Sequence, residues 1–260
     1  MSQSQQTIFI ETSVQIQRLL APLAQRTKLE SALTAPSIVP VTSAYVWMEY
    51  QRTVIADYAH VHSVMGKYTE WGALFEHILD GERAFRPRSA VRCTKIIGQL
   101  YNESTQNYEF ARHLLSTQIA HALRQKFWDH VTQIHDSIVC DLVTTGSVRQ
   151  PDRTYAVAAA CRKEHAACHL PTFLAAHQPK LRAVADHLAV HPHVIKDQPR
   201  LERLLAAIIA DPRAALGQTS CWPLGDLIIA LQVPTDATLW TLDADFAPLA
   251  AVLDIPLYSL

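Results

Sequence analysis

Glycine is scarce in this chain, with 7 residues against 14 prolines in 260. So few glycines leave little room for tight hairpins and suit a helix-rich body. No apolar run approaches the ~20 residues of a membrane-spanning helix. Nor is there an excess of charge: 23 basic and 24 acidic residues give a formal net charge of −1. No global positive field therefore draws the protein to nucleic acid or to an anionic membrane, and any polyanion contact must come from a local patch. The five cysteines are odd in number and widely spaced, which implies reduced thiols and a cytoplasmic setting. The start, Met1 to Gln6, is polar and uncharged, unlike a signal or transit peptide. There is no glycine-rich phosphate loop, no Gly-x-Ser-x-Gly elbow and no His-Glu-x-x-His. What is present, 49% hydrophobic and 18% charged residues, is an ordinary globular composition able to bury a core.

Both ends of the chain alternate strand and helix. Thr7-Ile-Phe-Ile10 reads as a buried parallel strand, followed by a helix through Val14, Ile16, Leu19 and Leu20 with Thr12 or Ser13 as its cap. Ser37 to Thr42 reads as a second strand, which Pro40 should keep near an edge. Ser43 can then cap a helix carrying Val46, Glu49 and Tyr50. Near the other end, Asp226 opens a helix through Leu231 that Pro234 closes. Thr238–Leu242 is a strand, Asp245–Val252 a short helix and Ile255–Leu260 a last edge strand. Such alternation predicts an α/β fold, a parallel sheet flanked by helices.

The middle reads differently. Apolar residues at Phe110, Leu114, Ile119, Leu123, Phe127, Val131, Ile134, Ile138 and Leu142 follow the seam of one long helix. More helices are expected over Tyr155–Ala167, Leu181–Val190 and Leu201–Ile209, and no strand is expected there. All 13 histidines fall between His60 and His193. The expected organisation is a discontinuous core, residues 1–57 and 216–260, around a large all-α insertion, 58–215.

Four acids fall where this architecture makes them meet. Glu11 and Asp243 end strands, and in an open α/β sheet ligands bind at the carboxyl ends of strands. Asp226 starts a helix, and Glu49 lies less than about two turns past its cap. Crowded carboxylates repel one another unless a cation relieves them, and Mg²⁺ or Mn²⁺ prefers such oxygen ligands. Ions there can activate water and hold the leaving oxygen of a phosphodiester. Taken singly, each acid could be a helix cap, a turn residue or a solvated side chain.

Ile8-Phe-Ile-Glu-Thr-Ser-Val14 resembles the first-strand motif of PIN-domain nucleases, and Thr42-Ser-Ala-Tyr-Val-Trp-Met-Glu49 is similar to their second motif. Gly225-Asp-Leu-Ile-Ile-Ala230 resembles their Gly-Asp-x-x-Ile-Ala motif, and Thr241-Leu-Asp-Ala-Asp-Phe246 their Thr-x-Asp-x-Asp-Phe motif. The resemblance implies a PIN-like core and a metal-dependent endoribonuclease, as in toxin–antitoxin pairs. Carried over by position, Glu11, Glu49, Asp226 and Asp243 would be catalytic metal ligands, with Asp245 a fifth acid. Thr12, Ser43 and Thr241 would orient carboxylates or water. Two departures stand out: the family's first acid is normally Asp, and the whole middle separates Glu49 from Asp226. The extra methylene of Glu11 reaches about 1.5 Å further, enough to weaken activity, shift metal preference or abolish activity.

Three further sets invite function. Cys161, His165 and Cys168 share one helical face and, with Cys221, or with Cys140 near His135, could hold a structural zinc ion; core packing is the alternative. Arg83, Arg86, Arg88, Arg92 and Lys95, with Phe85 among them, are the candidate RNA-backbone contact, or else a solvated loop. The scattered histidines read as surface or core residues. The rivals to an RNA nuclease are a DNA nuclease of the same chemistry and a non-catalytic PIN-like scaffold whose insertion binds a protein, such as an antitoxin or a system ATPase.

Overall fold

The computed structural model describes residues 5–82, 87–135, 138, 148–152, 154–157 and 168–260. The β-branched run at the start forms β1 (Gln6–Ile10), which pairs in parallel with β2 (Ile38–Ser43) on one side and with the strand Ala237–Trp240 on the other. Gln133–His135, from the middle of the chain, joins β2 as a fourth parallel strand. Numbered along the chain, with Gln133–His135 as β3, Val148–Arg149 as β4, Tyr155–Ala156 as β5 and Ala237–Trp240 as β6, the sheet order is β3-β2-β1-β6.

Period-two alternation sends β1 to two cores. Phe9 joins the larger cluster, built with Val41, Leu239 and the helices of the middle. Ile8 and Ile10 face the smaller one, with Val14, Leu29, Leu33 and Trp240. The larger cluster is continuous from Phe9 through Val54, Ile97, Leu115, Leu174 and Leu205 to Ile228, so sheet and middle share one core.

Helices α1 (Thr12–Leu20) and α2 (Leu23–Leu33) connect β1 to β2. Ser43 ends β2 and caps α3 (Ala44–Tyr50), its Oγ accepting from Val46 N at 3.2 Å. A π-helical turn, Gln51–Ile55, carries α3 into α4 (Ala56–Met65). Next come α5 (Trp71–His77), α6 (Pro87–Glu103), α7 (Tyr108–Thr117) and α8 (Leu123–Trp128). Helices α9 (Leu170–Ala176), α10 (Gln178–Val190) and α11 (Gln198–Ala210) follow, each with a proline in its first turn, where the missing N–H costs nothing. Helices α12 (Gly225–Gln232) and α13 (Phe246–Leu253) flank β6.

Several expectations are corrected. The long helical seam stops at Trp128: His130 takes a positive φ of 72° and the chain turns into β3, so Ile134 belongs to a strand. Tyr155 and Ala156 pair with Val148 and Arg149 instead of opening a helix, and 158–167 lie outside the described residues. The middle is therefore not all-α. β2 is not at the edge either. The Pro40 carbonyl accepts from Thr132 N at 2.9 Å, so its missing N–H faces the side where the β3 ladder has yet to begin. The last strand is reduced to one parallel bridge, Leu239 to Leu257. Among the described residues no helix is long and apolar enough to cross a membrane.

Candidate active site

Glu11 follows the last residue of β1 and caps α1. Its Oε2 accepts from Ser13 N at 2.7 Å, and its Oε1 from the Ser13 hydroxyl and from Leu242 N at 3.4 Å. These bonds tie the carboxyl ends of β1 and β6 together. They also leave the carboxyl 2% exposed. Burial pushes its pKa up to about 7, the Ser13 bonds holding it down and the Glu49 charge raising it further.

Glu49 reaches the same edge from α3. Its Oε2 accepts from Thr12 Oγ1 at 2.5 Å and its Oε1 from Arg52 Nη2 at 3.1 Å. Arg52 sits in the π-helical turn, its side chain 7% exposed, with its guanidinium 5.0 Å from the Trp222 ring centroid. The sequence carried a signal for this pair, an acid and a base at i, i+3 on one helix, which the expected ligand set did not use.

Asp226 lies in the first turn of α12. The preceding Gly225 lets that helix approach: a Cβ there would stand 3.3 Å from Glu49 Oε1 and 3.6 Å from Arg52 Nη2. Burial raises the Asp226 pKa to about 7, and the Glu49, Asp243, Glu11 and Asp245 carboxylates raise it in turn. Among the described residues no hydrogen-bond donor meets this carboxyl. Asp243 accepts from Asp245 N at 3.1 Å, and Asp245 Oδ1 accepts from Lys196 N at 3.3 Å.

The other four acids thus lie within electrostatic reach of Asp226, beside the carboxyl ends of β1 and β6. Of the three hydroxyls, Thr12 donates to Glu49 at 2.5 Å, and Thr241 accepts from Asp243 N at 3.0 Å. Ser43 does not join them; besides capping α3 it donates to Gln232 Oε1 at 2.9 Å. Among the described residues no three His, Cys, Asp or Glu side chains stand close enough, as placed, to hold an ion. Three of the acids are turned to protein partners instead: Glu11 to Ser13, Glu49 to Arg52, and Asp243 to the Asp245 backbone N–H.

Of the basic cluster, Arg83, Phe85 and Arg86 lie outside the described residues. Arg92 is ion-paired with Asp57 on α4, eight residues or about 12 Å along the helix from Glu49. Arg88 and Lys95 are exposed on α6. Cys140, Cys161 and His165 also lie outside the described residues, whereas Cys168 and Cys221 line one small apolar pocket with Tyr45 and Met48. Nearer the acids, sequence reasoning missed Lys196, Arg200 and Trp222, which line a cleft with Asp226. No family model, no curated protein and no solved structure matches the chain.

Proposed function

We propose that the chain is a PIN-type nuclease that hydrolyses phosphodiester bonds of RNA with Mg²⁺ or Mn²⁺. The observation that carries this reading is the meeting of Glu11, Glu49, Asp226, Asp243 and Asp245 at one end of a parallel sheet. The donor set is all oxygen and suits a hard divalent cation. An ion there would relieve the burial and mutual repulsion that penalise the ionised form of Asp226.

Glu49, Asp226 and Asp243 would hold the ion, with Glu11 and Asp245 as flanking charge. Such an ion supplies an activated water and stabilises the leaving oxygen. Thr12 fixes the Glu49 carboxylate, Thr241 holds the Asp243 backbone, and Gly225 sets how closely α12 approaches α3.

Arg52 favours a second reading. It already neutralises Glu49, while Glu11 is spent on a cap, as in a scaffold that binds a protein partner, such as an antitoxin or an ATPase, without catalysis. One experiment decides: wild type and Asp226→Asn, purified in parallel, are incubated with labelled RNA and Mn²⁺. Cleavage lost in Asp226→Asn supports the nuclease, and equal cleavage by both, which marks a contaminant, refutes it. No cleavage by either, with no metal-dependent rise in melting temperature, selects the scaffold. A matched DNA strand in competition assigns the nucleic acid.

A further inference from the structure

Beside Asp226 the surface opens into a cleft of about 340 Å³, in the range of small-ligand sites. Ile195, Leu201, Leu227 and Leu249 give it an apolar floor. Trp222, 37% exposed, forms part of its lining, together with the exposed Lys196 and Arg200. An apolar floor, an aromatic face and two cations match a nucleobase with its phosphate.

The cleft is held in shape. Gln198, 3% exposed, accepts from Val194 N at 3.0 Å and donates to Leu188 O and His191 O, fixing the loop that carries Lys196. That loop is tied to the acidic edge through the bond from Lys196 N to Asp245. The Arg52 guanidinium packs on the Trp222 ring. Among the described residues Arg200 has one ion pair, to Asp197, long at 3.9 Å and exposed, and its Nη2 donates to Thr219 O at 3.2 Å.

We propose that this cleft seats one nucleotide of single-stranded RNA beside the phosphate poised over the acids, Trp222 stacking on its base while Lys196 and Arg200 neutralise its phosphate. Its place next to the scissile bond rests on the nuclease reading; the binding itself does not.

The test is fluorescence anisotropy of a 5′-fluorescein single-stranded oligoribonucleotide, with chelator present so that nothing is cut. Trp222→Leu should weaken binding about ten-fold or more, the scale of a lost base–aromatic stack, while Trp222→Phe stays within about two-fold of wild type. The double variant Lys196→Ala/Arg200→Ala should bind more weakly and flatten the dependence of log affinity on log salt by about 1.4, from two lost phosphate contacts. Asp226→Asn should bind at least as tightly as wild type. Unaltered affinity in both Trp222→Leu and the double variant, or no binding by wild type, overturns the proposal. The nuclease reading fails on a separate result, cleavage by Asp226→Asn equal to wild type, which leaves the binding comparison intact.

Discussion

Asp226→Asn should make the metal-free protein more stable, and more so as pH rises. The Asp226 carboxyl is lifted from 3.8 to about 7 by burial and by neighbouring negative charge. Below pH ~4 both folded and unfolded chains carry it protonated, and folding is unpenalised. Between pH ~4 and ~7 the unfolded chain ionises first, so stability falls as pH rises, and above ~7 the loss is complete. At about 1.36 kcal/mol per pH unit the ceiling is ~4 kcal/mol. The side chain is partly exposed, and solvent screening about halves that to ~2 kcal/mol. The amide keeps the shape without the charge. Thermal melting in chelator should therefore place Asp226→Asn ~4–8 °C above wild type at pH 8, with a smaller gap at pH 5. Saturating Mn²⁺ should reverse the order, since an ion at one hundred times its Kd adds about 2.7 kcal/mol to wild type alone. If the two proteins melt together at both pH values, the carboxylates do not crowd one another and the site is misread.

The remaining predictions bear on the groups that surround Asp226. Gly225→Ala places a methyl 3.3 Å from Glu49 Oε1; the Glu49–Arg52 pair must shift, so Mn²⁺-dependent cleavage should fall about ten-fold or more with the fold intact, read from initial rates and far-ultraviolet circular dichroism. Glu11→Gln removes a buried charge whose pKa stands at about 7 but can still accept from Ser13; in chelator it should raise the melting temperature above pH 7 and leave it nearly unchanged near pH 4. A lower melting temperature at pH 8 would show that the ionised cap outweighs the cost of burying it.

The runs around Phe9, Val41 and Leu239 announced three strands, because β-branched and aromatic residues bounded by caps have few other uses. β3 was hidden. Its three residues, Gln133 to His135, continue the helical spacing of Leu123, Phe127 and Val131, and only the turn at His130 breaks the seam. The acids were legible because strand ends and helix starts are local facts. The state of each carboxylate was not: Glu11 turns back to Ser13, and Glu49 meets Arg52 where α12 packs close at Gly225. Trp222 is far enough in sequence from Lys196 and Arg200 that only tertiary folding brings it beside them.

The three residues of β3 also decide what can be removed from this molecule. They satisfy one flank of β2, while on the far side the chain near Leu257 covers β6, Leu239 N reaching Pro256 O and Tyr258 N reaching Leu239 O, each at 2.8 Å. A shortened gene product splicing position 57 to position 216 would strip the first of these covers and bare Val41 and Phe9 as well. Naked strand margins recruit other chains, so such a miniature should precipitate.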